Sequence, residues 1–343
     1  MRRAVISEPG VVEVIDSPLP SFTEDQVLVR VLRFSPYGTD IEIAAAREPR
    51  YVRDSYPIGF GVDFAGVIDQ VGAAVEGWDV GDRVTATGLP TCGACRMCEA
   101  GRTNLCHSFI AGEVPRQEVA QEYVAVDAAQ LTRIPPEVGL DDAAMLSGVM
   151  TAVNGFDLVN AGEGDDCVVM GLGAMGLAGV AVAVARGCRV VGVGVGADNQ
   201  RMARELGCHE VIDVPEHDFP VRDLVRRVLP DGPSVVYEST CRDWGIAQAF
   251  EVCGYGGRVV LLGGGSLPAD GWALIERELT VVGVRAAPNK EKSLRLLSQG
   301  SVDLKSTIAQ RITLEEVPAV FADWINRSPN RVRGRVMVDV SNS

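Results

Sequence analysis

The pattern of hydrophobic and polar residues changes near the middle of the chain. Residues 1–150 contain short strand-like runs, with candidates at Val27–Leu32 and Gly66–Val71 and a third that begins with Arg83–Ala86, separated by glycine- and proline-containing turns. Such runs predict an antiparallel, barrel-like domain. From about Asp165, strand-like runs alternate with helical stretches, which predicts a parallel, doubly wound sheet.

The predicted elements of the second half follow one another closely. Strands are expected at 167–171, 189–194, 210–214, 234–239 and 258–263, and helices after the first strand and around 199–206, 221–228 and 244–253. After about residue 287 the pattern becomes mixed and ends in a strand-like segment, residues 331–340. We therefore predict an α/β protein with two domains. Residues 1–148 and 287–343 form the β-rich domain, and residues 149–286 form the doubly wound domain.

Composition and charge narrow the range of functions. The 343 residues are 47% hydrophobic and 23% charged, which excludes wholesale disorder. The formal net charge of −14 repels phosphate backbones, so no nucleic-acid partner is expected. The chain starts without the apolar segment of a signal peptide, and the uncharged run Cys167–Ala185 is interrupted by glycines. We expect a cytoplasmic protein without membrane contact.

One glycine-rich segment predicts a nucleotide site. It reads Gly171-Leu172-Gly173-Ala174-Met175-Gly176, after an apolar strand and at the start of a helix. In this context the glycines permit a tight turn, a close backbone approach to a pyrophosphate, and packing of helix on strand. The pyrophosphate would lie at the helix N-terminus, where N–H groups favour anions. The alternative is a glycine-rich turn without a ligand.

The end of the next strand bears on the choice of dinucleotide. An NAD site usually has Asp or Glu there, bonded to the ribose 2′-hydroxyl. This chain has Gly194, followed by Asn199 and Arg201. With no carboxylate to repel a 2′-phosphate, the sequence favours NADP(H) over NAD(H). Asp198 is the contrary observation, although aspartate is also a common helix N-cap.

Four cysteines form a second motif. Cys92, Cys95, Cys98 and Cys106 lie within fifteen positions, in a predicted zinc lobe of residues 91–107. Four thiolates can enclose a tetrahedral Zn²⁺ with no open position, which is a structural site. A ferredoxin-type cluster would instead have its fourth cysteine three residues on, followed by proline. Unligated cysteines are the remaining alternative.

Taken together, these motifs resemble the zinc-containing alcohol dehydrogenase branch of the medium-chain dehydrogenase/reductase superfamily. The resemblance covers nearly the whole chain. It is carried by the cysteine and glycine motifs and by 38–40, 61–68, 80–84 and 334–336. Residues 38–43 and 111–113 are most similar to polyol and glucose dehydrogenases. The resemblance implies a GroES-like catalytic domain, a Rossmann domain, hydride transfer in the cleft between them, and a homodimer or homotetramer.

The sequence departs from this family at the catalytic zinc. The family holds that metal with a cysteine before Gly-Thr/Ser-Asp, the His-Glu of a GHExxG motif, and often a later cysteine. The corresponding residues here are Tyr37, Val62 with Asp63, and Ser147. Valine offers no lone pair, and neutral Tyr and Ser are poor zinc ligands. We therefore expect one structural zinc and no catalytic zinc.

Without a catalytic zinc, side chains must neutralise the alkoxide that develops on the substrate when a hydride is delivered to its carbonyl group. Tyr37 carries a phenol that can donate a proton, and Asp63 can orient a substrate hydroxyl or act as a general base. The resemblance assigns a proton-relay hydroxyl to Thr39, a sugar contact to Glu113 and a position near the nicotinamide to Thr151, and Ser147 is counted with the substrate-binding residues. Each has an ordinary alternative: Tyr37 as space filler, Asp63 as a cap or ion-pair partner, Thr39 as a backbone contact, and Glu113 as surface charge.

The leading hypothesis is an NADP(H)-dependent oxidoreductase that interconverts a hydroxyl and a carbonyl without catalytic zinc. Its substrate would be a polar small molecule, such as a sugar, a cyclitol or a related biosynthetic intermediate. One alternative is conjugate reduction of an activated C=C or C=N bond, with Tyr37 as proton donor. Others are an epimerase or dehydratase that retains its cofactor, and a non-catalytic nucleotide-binding protein.

Overall fold

The computed structural model describes residues 1–47, 56–86, 91–110, 118–214, 220–267, 271–285, 289–328 and 331–341. The chain forms two compact units, which we call the first unit (residues 1–146 and 308–343) and the second unit (residues 147–307). The second unit is continuous in sequence and interrupts the first.

In chain order, the strands are β1 (Arg2–Glu8), β2 (Val11–Asp16), β3 (Gln26–Phe34), β4 (Ile58–Gly59), β5 (Phe64–Val71), β6 (Arg83–Ala86), β7 (Tyr123–Asp127), β8 (Leu131–Arg133), β9 (Asp166–Met170), β10 (Arg189–Gly194), β11 (Glu210–Asp213), β12 (Val235–Glu238), β13 (Arg258–Leu261), β14 (Thr280–Gly283), β15 (Ile308–Thr313) and β16 (Arg335–Asp339).

The α-helices are α1 (Gly38–Ala44), α2 (Arg96–Glu99), α3 (His107–Ile110), α4 (Leu140–Ala143), α5 (Leu146–Leu158), α6 (Ala174–Ala185), α7 (Ala197–Glu205), α8 (Arg222–Val228), α9 (Asp243–Val252), α10 (Gly271–Ile275), α11 (Lys290–Ser298) and α12 (Val317–Ile325). Short 3₁₀ turns lie at Thr103–Leu105, Ala128–Gln130, Lys305–Thr307 and Leu314–Glu316.

The first unit is built on a seven-stranded sheet with the order β15-β16-β3-β5-β6-β8, in which β7 also pairs with β3. Its strands are antiparallel except β15 and β16, and a small antiparallel sheet has the order β2-β1-β4. The predicted antiparallel, β-rich fold is confirmed. In the core, the Phe60 ring lies 4.9 Å from Phe321 and 6.3 Å from Phe34, centroid to centroid.

Strand register in this sheet brings distant residues to one place. Phe34, at the end of β3, pairs with Phe64 at the start of β5 and with Val338 of β16. Because both partners run antiparallel to β3, the residues after β3, before β5 and at the start of β16 converge. These residues include Tyr37, Asp63 and Arg335.

The second unit contains a parallel six-stranded sheet with the order β11-β10-β9-β12-β13-β14. The predicted doubly wound sheet is therefore confirmed. Chain connections proceed outward from β9 toward β11 on one side and from β12 toward β14 on the other. Ligands in such sheets bind at the carboxyl ends of the strands, at the point where the order reverses.

The uncharged run at 167–185 forms the centre of this unit. It supplies β9 and α6, and α6 is buried from Gly176 to Ala183. Apolar character on all sides is expected of a helix enclosed by the core. In the described ranges, none of the helices has the length and hydropathy needed to span a bilayer.

The chain returns to the first unit at Ile308, later than the predicted residue 287. The intervening helix α11 is tied to α5 within the second unit. The Asn289 side chain donates to the Met150 carbonyl oxygen (3.2 Å), and Lys292 pairs with Asp157 at 2.6 Å. These contacts hold α11 in the second unit.

Candidate functional site

Tyr37 and Asp63 are in direct contact in the first unit. The Tyr37 hydroxyl donates a 2.8 Å hydrogen bond to Asp63 Oδ2 and lies 3.5 Å from the Met145 carbonyl oxygen. Asp63 is only 1% exposed. The structure thus joins the phenol and the carboxylate that occupy two positions of the family's zinc ligands.

Asp40 fixes the backbone around this pair. Its carboxylate accepts the backbone N–H of Tyr37 (2.8 Å) and that of Gly61 (3.1 Å), and it is buried. Tyr37 is the N-cap residue of α1, so the first contact holds the start of that helix. Gly61 has a φ of +88°, a conformation that favours glycine. Sequence analysis treated Asp40 only as part of a family motif, whereas the structure gives it a positioning role.

Arg335 is a further component that sequence analysis missed as a site residue. It begins β16, is 1% exposed, and places its guanidinium carbon 4.8 Å from the centroid of the Tyr37 ring. The buried Ser35 hydroxyl donates to the carbonyl oxygen of the neighbouring Val336 at 3.0 Å, which holds this end of β16 to β3. An available signal was an arginine opening a terminal strand whose central residues, Val336–Val338, are apolar.

The groups around Tyr37 shift the pKa of its hydroxyl in opposite directions. Burial raises the pKa of its hydroxyl above the ordinary value of 10.0, and Asp63 raises that pKa further, whereas Arg335 lowers it. The phenol is therefore protonated at neutral pH. A protonated phenol can donate a proton, provided that something compensates the charge left behind.

The other predicted site residues fall in different surroundings. Thr39 is exposed in the first turn of α1, and Val62 is partly exposed. Thr151 is buried in α5, where its hydroxyl donates to the Ser147 carbonyl oxygen at 2.7 Å. Ser147 is partly exposed. Glu113 lies outside the described residues.

The donor set at the family's zinc-ligand positions does not fit a catalytic zinc. Tyr37, Val62, Asp63 and Ser147 offer one carboxylate and neither a thiolate nor an imidazole, which are the ligands that zinc prefers. Across the described ranges, the cysteine cluster alone brings three or more Cys, His, Asp or Glu side chains close enough to share an ion.

The cysteine cluster, in contrast, fits a structural zinc. The sulfur atoms of Cys92, Cys95, Cys98 and Cys106 all lie within 4.8 Å of one another. Two of their separations, Cys95 to Cys98 and Cys92 to Cys106, are 3.6 Å. Tetrahedral coordination at about 2.3 Å per Zn–S bond requires sulfur separations of about 3.8 Å.

Local turns shape this lobe. Gly93 and Gly101 both have a φ of +71°, and Cys95 precedes the short helix α2. Backbone N–H groups of Ala94 and Cys95 lower the pKa of Cys92 to about 6, which favours the thiolate form that binds metal.

The glycine motif forms a cradle in the second unit. A Cβ on Gly176 would lie 1.7 Å from the Gly171 carbonyl oxygen, so strand and helix can approach only because this residue is glycine. Gly171 has a φ of +86°. Gly173 is the N-cap of α6, and its missing Cβ would meet nothing within 4 Å. The space beside Gly173, at a helix N-terminus, fits the pyrophosphate of a dinucleotide.

Residues at the end of β12 support this cradle by hydrogen bonds that the sequence did not predict. The Ser239 hydroxyl lies 2.9 Å from the carbonyl oxygens of both Met170 and Gly171. The Thr240 backbone N–H donates to Glu238 Oε1 at 2.7 Å, and Glu238 is fully buried. Burial raises the pKa of Glu238, while the Thr240 contacts lower it. The polar residues at the end of an apolar strand were the available signal.

The residues proposed to select the dinucleotide lie along β10 and α7. Gly194 ends β10, and its carbonyl oxygen accepts a hydrogen bond from Gln200 at 3.3 Å. Asn199 is buried, with no hydrogen-bond partner for its Oδ1 atom among the described residues. Arg201 is exposed and pairs with Glu205 at 2.7 Å. Asp198, the contrary observation, is exposed in the first turn of α7.

Two families match successive parts of the chain. The family described as "Alcohol dehydrogenase GroES-like domain" matches residues 23–136. The family described as "Zinc-binding dehydrogenase" matches residues 174–299.

Individual relatives match over nearly the full length. The chain is 30% identical, over 323 residues, to the L-threonine 3-dehydrogenase of Anaeromyxobacter dehalogenans (strain 2CP-C), covering 92% of each chain. A zinc-binding dehydrogenase structure from Sinorhizobium meliloti 1021, bound to NADP, is similar with a TM-score of 0.85, 25% identity and 98% coverage of both chains. Galactitol-1-phosphate dehydrogenase from Escherichia coli has the same fold, with a TM-score of 0.85, 23% identity, and coverage of 99% of this chain and 100% of that one.

Proposed function

Because the chain belongs to the zinc-type alcohol dehydrogenase-like family of medium-chain dehydrogenases/reductases, we propose that it is an NADP(H)-dependent oxidoreductase that interconverts a hydroxyl and a carbonyl without a catalytic zinc. The proposal that the reaction needs no catalytic zinc is based on the hydrogen bond between Tyr37 and Asp63, at positions where the family places metal ligands. The oxidoreductase class itself follows from the family.

The proposed chemistry assigns proton transfer to Tyr37. When bound, a nicotinamide cofactor would supply or accept the hydride. In reduction, the substrate carbonyl oxygen gains negative charge and the Tyr37 hydroxyl gives it a proton, which solvent replaces before the next turnover. In oxidation, the substrate hydroxyl proton passes to Tyr37 as Tyr37 releases its own proton to Asp63. Asp63 accepts a hydrogen bond from Tyr37 in the resting state, so this transfer needs no large movement.

The nucleotide would be held by the glycine cradle of the second unit. Gly173 and the N-terminus of α6 fit the pyrophosphate, and the glycine at the end of β10 leaves no carboxylate against a 2′-phosphate. Arg201 is the nearby cation and would exchange its contact with Glu205 for the phosphate. The similar structure from Sinorhizobium meliloti is bound to NADP, so this cofactor is compatible with the fold.

We also propose one structural zinc held by Cys92, Cys95, Cys98 and Cys106. For the substrate, we propose a small polar alcohol or its carbonyl form, of the sugar or cyclitol type. The relation to a dehydrogenase named for threonine, itself a small polar alcohol, supports a polar substrate. The homodimer or homotetramer stays a prediction, which analytical ultracentrifugation would test.

The test begins with a fluorescence titration of the zinc-loaded chain with NADPH and NADH. Turnover is then measured with panels of sugars, cyclitols, simple ketones and enones. We expect NADPH binding and turnover of a polar hydroxyl or carbonyl compound. Turnover of enones alone would replace the proposal with conjugate reduction, for which the Tyr37 proton donor is equally suited. Tight binding without any turnover would indicate the non-catalytic alternative.

A further inference from the structure

Two opposite charges are buried against one phenol in the first unit. Asp63 accepts the hydrogen bond of the Tyr37 hydroxyl, and Arg335 places its guanidinium carbon 4.8 Å from the centre of the same ring. Both charged residues are 1% exposed. Removing charges from water costs free energy that only compensating contacts offset, so a buried cation at this position calls for an explanation.

The elements around Tyr37 hold this arrangement from three sides. Asp63 lies just before β5, Arg335 begins β16, and Asp40 of α1 accepts the Tyr37 backbone N–H. The Ser35 contact to Val336 fixes the strand that carries Arg335. The guanidinium is therefore held in place and does not reach the ring from a flexible surface position.

We propose that Arg335 is a positioning residue for proton transfer, whose fixed positive charge compensates the negative charge that develops on the Tyr37 oxygen when the hydroxyl gives up its proton. The inference rests on the proposed function. In family members that keep a catalytic zinc, the metal ion neutralises the oxyanion directly. Here the guanidinium acts on the acid itself, and the Asp63 carboxylate accepts the Tyr37 hydrogen bond again once solvent has returned the proton to the phenol.

Electrostatics supports the assignment. Arg335 is the group that lowers the pKa of Tyr37, against the larger opposing effect of burial and the smaller one of Asp63. An arginine guanidinium carries a permanent positive charge. A residue that only filled space or paired with Asp63 would not be needed for the acidity of the phenol.

The experiment measures that acidity without substrate or cofactor. The six tyrosines are replaced by 3,5-difluorotyrosine, whose more acidic phenol titrates at a lower pH, and ¹⁹F NMR follows each ring. The signal lost in Tyr37→Phe identifies residue 37. We expect Arg335→Gln to raise the titration midpoint by at least one pH unit, a loss of tenfold or more in acidity, and Arg335→Lys to restore most of it. Arg311→Gln, on the neighbouring strand β15, is the matched control and should leave the midpoint unchanged.

A second pair of variants covers the case in which Arg335→Gln does not fold, because that change leaves Asp63 as an uncompensated buried charge. Asp63→Asn with Arg335→Gln removes both charges and is compared with Asp63→Asn alone. The double variant should titrate at the higher pH by at least one unit. An equal midpoint in both members of either comparison overturns the proposal. So does a tenfold loss of NADPH binding in Arg335→Gln with an unmoved midpoint, since Arg335 would then be a cofactor ligand. Absence of turnover with every substrate panel would count against the proposed function and leave these midpoints intact.

Discussion

Gly194 packs directly against Leu172: a Cβ atom on Gly194 would lie 2.8 Å from Leu172 Cγ. Any side chain at the end of β10 therefore displaces a residue of the glycine cradle. Glycine at position 194 avoids a clash with Leu172, and it also leaves no carboxylate against a 2′-phosphate. Substitution by Asp alone would therefore change both the packing and the charge.

A matched pair of variants separates these effects. Gly194→Asp and Gly194→Ala share the clash with Leu172, but only Asp adds a negative charge against a 2′-phosphate. Both should bind nucleotides more weakly than the wild type. The ratio of NADPH to NADH affinity should fall in Gly194→Asp relative to Gly194→Ala, as measured by fluorescence titration. Equal ratios in the two variants, or wild-type binding of NADH as tight as NADPH, would defeat the NADP(H) assignment.

The metal content can be measured directly. Elemental analysis should give one zinc per chain, and Cys98→Ser should lose it. Structural zinc contributes free energy to folding, so Cys98→Ser should lower the unfolding temperature by roughly 10 °C. Cys241→Ser changes an exposed cysteine outside the cluster and should retain the metal. Two zincs per chain, or metal bound at Tyr37 and Asp63, would contradict the assignment.

Tyr37→Phe keeps the ring and removes the donor. Proton donation by a placed side chain accelerates reactions by about 10²–10⁴, so kcat should fall by that range while NADPH affinity stays nearly unchanged. Tyr255→Phe, at an exposed position, is the control and should turn over normally. Wild-type turnover in Tyr37→Phe would show that Tyr37 only fills space. Asp63→Asn retains an oxygen acceptor for the Tyr37 hydroxyl but cannot take up its proton, so it should chiefly raise KM in reduction and should also lower kcat in oxidation.

Glu238 should make stability depend on pH. Burial raises its pKa in the folded chain above the ordinary value of 4.5. A raised folded pKa gives stability that is full below the unfolded value and is lost as pH rises through the folded one. Glu238→Gln should therefore gain in unfolding temperature over the wild type as pH rises above 4.5. Glu251→Gln, an exposed change on α9, should show no such trend. A constant difference between Glu238→Gln and the wild type would argue against a buried, titrating Glu238.

Local patterns were sufficient to predict much of the molecule. β10 begins and ends at the predicted residues and β6 begins at the predicted Arg83, because the alternation of strand and helix and the glycines between elements are local features of the sequence. The four cysteine sulfur atoms lie close together, as the spacing of the cysteines predicted, because the whole motif lies on one loop.

Contacts between distant residues could not be predicted this way. Arg335 meets Tyr37 through the pairing of β3 with β16, which joins nearly opposite ends of the sequence. The hydrogen bond from Ser239 to the Gly171 carbonyl oxygen requires β12 to lie beside β9, and no single sequence segment determines that pairing. Glu113 lies outside the described residues, so its predicted sugar contact stays a prediction.

The first unit is encoded in two pieces, with the whole second unit between them. Its β3–β16 pairing must close a very long loop, which is slow because the entropy of the loop opposes it. The second unit is continuous in sequence and can fold first, which shortens the chain that remains free. We therefore expect the docking of β16 to be among the last folding steps, so that a chain with an otherwise formed β3 and β5 still lacks the guanidinium beside Tyr37.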